Sequence, residues 1–323
     1  MITLKATLAP KTAFATPLMG DTLFGQLCWA IRHGWGEARL AALLDGYTAG
    51  RPFLVVSDAF PAGYLPMPTL PSTYWHGETD PSQRKALKRR IWLAEADATA
   101  PVGDWQRLAK TAEEIGAKTE DRLQPRNSLN RLTLATGKGA GFAPYSVRQH
   151  WYPAGARLDI HLRLDESRFS QVDMEQMLAV VGLAGFGKDA NVGLGKFTLE
   201  TLQAHTQPYQ SHANAWLTLA PCAPQGLAWD TERCFYTVFT RFGRHGDIGV
   251  HRGNPFKAPV LLANTGAVLA PKSYDNQPFT GQGLGGIGAD GEGILSQAIS
   301  ETVHQGYAPV VGIRLNMLAK EAA

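Results

Sequence analysis

Apolar and polar positions in the first sixty residues fall into three short patterns. Ile2, Leu4, Ala6 and Leu8 alternate with polar neighbours, the period of a half-buried strand. After Pro10 and Pro17 the spacing lengthens, and Leu23, Leu27, Ala30 and Ile31 share one helical face that Phe24 and Cys28 widen. Asp21 is placed to cap that helix, and Gly34 and Gly36 to end it. A second helical stretch, Glu37 to Leu44, and a buried-strand run, Phe53 to Val56, follow. Strand, helix, strand is the opening of a ferredoxin-like unit.

Pro61, Pro66, Pro68 and Pro71 then break the pattern, and a basic helix is predicted over Gln83 to Ala96. The segment at about 61–150 reads as an insertion standing off the first domain. Alternation returns at Leu158, Ile160, Leu162 and Leu164, which point inward, leaving Asp159, His161 and Arg163 outward. A helix over Val172 to Leu183, with Asp173 near its start, leads through a glycine tract to a strand at Phe197 to Leu202. From about Asn214 the style repeats. Trp216 to Leu219 and Cys234 to Thr240 read as strands, Ile294 to His304 as a helix closed by Gly306, and Pro309 to Leu315 as the last strand. The expected fold is α+β: tandem ferredoxin-like (RRM-like) domains, 1–205 and 206–323, with an inserted, partly helical segment and glycine-rich loops.

The chain's 323 residues suit about two domains, and an apolar content of 44% supplies ordinary cores. Three cysteines without a close CxxC pair argue against a disulfide framework and a structural zinc site. Nine histidines show no HxH, HxxxH or HExxH spacing, and no GxSxG elbow occurs. Cys28 reads as core, and His33 as a cation closing its helix. No metal, no cofactor and no catalytic residue is therefore expected. The N-terminus lacks a signal-peptide pattern, and no run approaches the roughly 18 apolar residues of a membrane span. The expectation is a cytoplasmic protein with no membrane partner.

A net charge of +3 neither requires nor excludes a polyanion, so its placement matters more. From Arg122 to Arg148 there are five basic residues and no acidic one. Arg126, Asn127, Arg131, Lys138 and Arg148 suit phosphates, and Phe142 and Tyr145 offer faces for base stacking; a solvated basic loop is the plainer alternative. Gly185, Gly187, Gly193 and Gly195 free the backbone to aim amides at anionic oxygens, with Lys188, Asn191 and Lys196 beside them. The tract is no Walker A loop, and composition fits equally a glycine-rich hairpin made only for tight turns. Arg241, Arg244, Arg252 and Lys257 stand against a lone Asp247. The run Arg84 to Arg90 has five basic residues in seven, partly offset by Glu95 and Asp97. A second glycine tract, Gly281 to Gly288, reads equally as a surface loop.

Five blocks in this order resemble a known family: Gly20 to Trp29, Ser57 to Pro61, Arg126-Asn-x-x-x-Arg131, Gly185 to Phe197, and Gln305 to Pro309. The chain is similar over most of its length to the RAMP proteins of CRISPR systems, specifically the Cas5-group subunit four of the type III-A Csm complex. It departs from that family at Gly20, commonly Ser, and at Leu129-Asn130, often Ile-Asp. The resemblance implies a non-catalytic subunit of an antiviral complex that binds the repeat-derived 5′ handle of the CRISPR RNA (crRNA). It would bridge the large polymerase-like subunit and the first backbone RAMP subunit, which carry the catalysis. The tract and the Arg126 to Arg131 block would cradle the handle, and the region of Phe142 and Tyr145 would form a thumb that kinks the guide. Rival readings are a Cas6-type crRNA-processing endoribonuclease, with His33 as base and Gly281 to Gly288 as its loop, the equivalent subunit of a type III-B or III-D complex, and a protein-binding adaptor.

Overall fold

A computed structural model describes residues 1–76, 83–137, 142–226, 228–251 and 253–316. The opening pattern is realised as β1 (Ile2–Pro10), α1 (Gly20–Trp35), α2 (Glu37–Leu44) and β2 (Leu54–Pro61). The inserted segment holds β3 (Tyr64–Pro66), one helical turn α3 (Arg84–Leu87), β4 (Trp92–Ala94), a second turn α4 (Trp105–Leu108), and the ribbon β5 (Glu120–Arg126) with β6 (Tyr145–Trp151). Then come β7 (Leu158–Leu164), α5 (Gln171–Ala184) and β8 (Phe197–Ala204). The first sheet is antiparallel in the order β2-β7-β1-β8, so β7 lies between the strands that flank α1. That is the ferredoxin-like arrangement.

Helix boundaries follow local chemistry. Ser170 and Asp173 form a reciprocal capping box at the start of α5, and Gly36, at φ 88°, ends α1. The expected Asp21 cap is not made. Met19 holds the N-cap position with no side-chain bond, and Asp21 lies inside the helix, buried. Gly20 is fixed by close packing, because a Cβ there would sit 2.2 Å from the Val56 carbonyl oxygen. Leu23, Phe24, Leu27, Ala30 and Ile31 pack into the first core as predicted, with Leu4, Ile160, Leu162, Met174 and Phe197.

The second half contains β9 (Ala215–Thr218), β10 (Val238–Arg241), β11 (Val260–Ala263), β12 (Val268–Leu269), β13 (Phe279–Gly281), β14 (Leu284–Gly285), β15 (Val303–His304) and β16 (Tyr307–Ile313). Its main sheet runs β12-β9-β16-β13, all antiparallel. The helix expected over Ile294 to His304 does not form. The Ser296 hydroxyl accepts from the amides of Ala298 and Ile299, and the Thr302 hydroxyl donates to the Ile299 carbonyl. Such side-chain bonds compete with a helix's own ladder. The strand expected over Cys234 to Thr240 is confined to β10 and one bridge from Phe235 to Val268.

Two expectations about the insertion change. The basic helix shrinks to α3, and its continuation becomes β4, paired with β3. Much of the segment does not stand off. Leu65, Leu93, Val102 and Trp105 are fully or nearly buried, in one core with Leu217, Val268, Val311 and Ile313 of the second sheet. The β5–β6 ribbon projects, with β5 exposed along nearly all its length, and α3 is largely exposed as well.

The polar face of β7 is likewise covered. Asp159, His161 and Arg163 alternate away from the helices as predicted, yet all three are buried. Asp159 accepts from Thr7 and from the Gly63 amide, while Arg163 donates to the Pro278 carbonyl and to Gln207. Burial lowers Arg163 to about 10 and His161 to about 3. Burial works to raise Glu95 of the insertion, but bonds from His205 and Lys5 outweigh it and hold the carboxyl at about 2.

Candidate nucleic-acid interface

The sequence-predicted residues separate into two groups that meet α1 at different residues. One comprises the β5–β6 ribbon, the chain between β1 and α1, and the 185–196 tract. Phe14 bridges His150 of the ribbon through both backbone groups, and Gln26 of α1 meets the Gly185 carbonyl and the Gly187 amide. The other is the 241–257 loop, which meets α1 at Asp21 and at His33.

In the tract the backbone turns inward. The amides of Phe186, Lys188, Gly193, Leu194, Gly195 and Lys196 all donate within the chain, to Gly195, Thr16, Ala190, Asp189, Ala13 and Thr12. Gly195, at φ 72°, approaches so closely that a Cβ would lie 2.1 Å from the Phe186 carbonyl oxygen; at Gly185 one would lie 2.5 Å from that of Leu194. The amide cradle for phosphates is therefore not formed at these positions, and the glycines serve a self-packed turn. Lys188 and Asn191 remain exposed and Lys196 partly so. Lys11, exposed and joined to Lys196 through its amide at 2.8 Å, adds a charge that sequence reasoning missed. Its nearness depends on the pairing of β1 with β8, which no local pattern announces.

The acid-free stretch from Arg122 to Arg148 is not acid-free in space. Arg126 pairs with Asp189 of the tract at 3.0 Å and so pins the tip-side end of the ribbon's ladder to the tract. Arg122 pairs with Glu120 at 2.7 Å and lies over the Trp151 ring. Among the described residues Arg131 and Arg148, both exposed, meet no acidic partner. Asn127 is exposed, Tyr145 half exposed and Phe142 partly buried. Asn130 accepts from the amides of Leu132 and Thr133 and so shapes the tip. Leu132 and Leu134 stand out there, 95% and 76% exposed. Lys138 lies outside the described residues.

The second group is mostly turned inward as well. Arg241 donates from Nε and Nη2 to the two carboxylate oxygens of Asp21, at 2.7 and 2.9 Å, and His304 lies 3.3 Å from the same carboxylate. Burial acts to raise Asp21, but His304 and Arg241 together overcome it and hold the carboxyl below its usual range. Arg241 is thus tied into a seam between the halves rather than free for phosphate. Removing one member of such a buried pair costs about 3–5 kcal/mol. Burial also lowers Lys257. Arg244 is exposed and lies over Phe256, whose ring is exposed too. Arg252 lies outside the described residues.

The same seam accounts for other blocks that carried the resemblance. The Gln305 side chain, wholly buried, accepts from the Val56 amide at 2.9 Å and donates to its carbonyl at 2.8 Å. Asp58, at a bulge in β2, accepts from the Gly20 amide at 2.7 Å and the Thr265 hydroxyl at 2.5 Å. Burial, eased by those bonds, raises its carboxyl to about 7. Tyr307 donates to the Tyr47 carbonyl at 2.6 Å.

Comparison with solved structures places this arrangement. A crystal structure of a Csm1-Csm4 cassette in complex with pppApA matches 98% of this chain and 99% of its own, with TM-score 0.60 and 18% identity. A Csm3-Csm4 subcomplex from the type III-A CRISPR-Cas interference complex matches over 97% and 100%, with TM-score 0.57 and 11% identity. Csm4 is the component common to both. The chain has the fold of Csm4. A cassette bound to AMPPNP agrees, at TM-score 0.57 and 19% identity. No protein-family description and no curated protein matches the sequence. The α+β fold expected from the sequence is the one adopted.

Proposed function

We propose that the chain is the non-catalytic crRNA-binding subunit of a type III-A CRISPR (Csm) effector complex. It grips the repeat-derived 5′ handle and bridges the large polymerase-like subunit to the backbone RAMP subunit. The observation that carries this reading is the fold shared with Csm4 from end to end. Csm1 and Csm3, the partners in those assemblies, are of the two classes that the bridge requires.

On the RNA side, the ribbon supports the reading better than the tract does. Arg131 and Arg148 supply positive charge that no acidic side chain among the described residues offsets, and Tyr145 supplies a stacking face. Lys11, Lys188 and Lys196 extend the basic surface beside the ribbon. The Cas6-type rival gains one observation, the exposed pair of His33 Nε2 with Asp247 at 2.8 Å, a partner suited to a general base. It loses its loop. A Cβ at Gly281, Gly283 or Gly285 would lie 2.1 to 2.5 Å from a carbonyl oxygen, so the second glycine tract is packed inward rather than presented to a ligand.

The test is co-purification of the full chain with the large and backbone subunits from its own operon, followed by sequencing of the bound RNA. Short RNAs sharing one repeat-derived 5′ tag are expected. RNA without a common 5′ end would overturn the handle assignment. Cutting of repeat RNA by the purified chain, lost in His33→Ala, would replace the reading with a nuclease.

A further inference from the structure

Glu95, His161 and His205 come from three distant parts of the chain: the residue after β4, the middle of β7 and the residue after β8. Each offers one ligand atom, and the three lie within 4.8 Å of one another beneath the insertion. The Glu95 carboxylate divides its oxygens. Oε2 accepts from Lys5 Nζ at 3.0 Å, while Oε1 meets His205 Nε2 at 2.5 Å. The His161 ring is buried, its Nδ1 has no hydrogen-bond partner, and its centroid lies 5.4 Å from that of His205. A buried ring nitrogen without a partner is a group whose cost the fold has not offset.

We propose that these three side chains form a binding site for one zinc ion, which fastens the inserted segment to the first sheet. Two imidazoles and a carboxylate are a donor set that zinc accepts, with water completing four-coordination. Lys5 occupies only the far oxygen of Glu95, so it orients the carboxylate as an outer partner while Oε1 exchanges His205 for the metal. The ammonium's charge is offset locally, because Lys5 also lies 3.7 Å from Asp159. Two carboxylates, Glu95 and Asp159, stand against two cations, Lys5 and Arg163, so the pocket carries no net positive charge to oppose a divalent ion. The site escapes every short spacing rule, since the sheet, not the local sequence, brings its members together.

The experiment uses the full chain, stripped with a chelator and refilled with zinc or cobalt(II). About one zinc per chain should survive gel filtration, and the cobalt form should show the strong visible bands of tetrahedral coordination. Zinc in ~100-fold excess over Kd should raise Tm by roughly 5 °C. His205→Asn and His161→Asn should each weaken binding by more than the ~100-fold that loss of an outer partner costs, while His33→Asn leaves it unchanged. Should the buried His161 variant fail to fold, the partly exposed His205 and the wild-type stoichiometry still decide. No zinc retained by the wild type, or full retention in His205→Asn, would overturn the proposal and leave the Glu95–His205 hydrogen bond as the whole role of the cluster.

Discussion

The β5–β6 ribbon and the 185–196 tract are joined by the ion pair of Arg126 with Asp189, yet they direct their polar groups oppositely. The tract, which composition made a candidate for gripping phosphate through its backbone, bonds its amides to its own neighbours and uses its glycines to close the turn. The ribbon, with almost no core of its own, keeps Arg131, Arg148 and Tyr145 in solvent. A glycine-rich sequence thus signals close approach of the backbone to something, and here that something is the chain itself. A one-sign basic segment signals surface, and here the surface survives.

The largest effect that would sharpen this contrast lies inside the tract. Gly195→Ala should destabilise the chain by about 3 kcal/mol or more, read as a fall in the urea midpoint, since its Cβ meets the Phe186 carbonyl at 2.1 Å and its φ is 72°. Gly193→Ala, at φ 94° but with open space around the added methyl, should cost only about 1 kcal/mol. Equal losses at both would mean that the tract's packing is not what holds it.

The next effect sets a charge turned inward against one turned outward. A carboxyl with its folded pKa raised to about 7, as at Asp58, keeps a proton in the folded state that the unfolded chain has already released. Stability should therefore fall as pH rises from about 4 to 7 and stay lower above it. Asp58→Asn removes that titration, and it should gain on the wild type by about 2 kcal/mol between pH 5 and pH 8 in urea unfolding. Parallel pH profiles for the two proteins would show that Asp58 is ionised in the fold.

The smallest effect on the fold is at the ribbon. Arg148→Glu should leave stability within about 0.5 kcal/mol and weaken RNA binding roughly tenfold. The slope of log K against log salt should shrink by about 0.7, the share of one neutralised phosphate on a single strand. An unchanged slope would remove the ribbon from the interface.

How much of this was legible can be judged from particular residues. Alternation in β1 and β7 and the helical face of α1 were readable because burial imposes period directly on sequence. The polar face of β7 was read with the correct side but the wrong environment, since no local pattern reveals that a second sheet and an insertion will cover it. Ile294 to His304 had helical spacing, but hydroxyls of Ser296 and Thr302 bond locally and override it. Arg241 looked like a free cation because its partner, Asp21, lies 220 positions away. Glu95, His161 and His205 were invisible as a set for the same reason.

The Gln305 amide has one more consequence. By engaging both backbone groups of Val56, one side chain of the second half stands in for a neighbouring strand at the open edge of the first sheet. A fragment ending near residue 205 would present that edge bare, a template for pairing with another copy of itself. The halves are therefore poor candidates for separate expression, and β16 with the turn before it protects the β2 edge of the first sheet from aggregation.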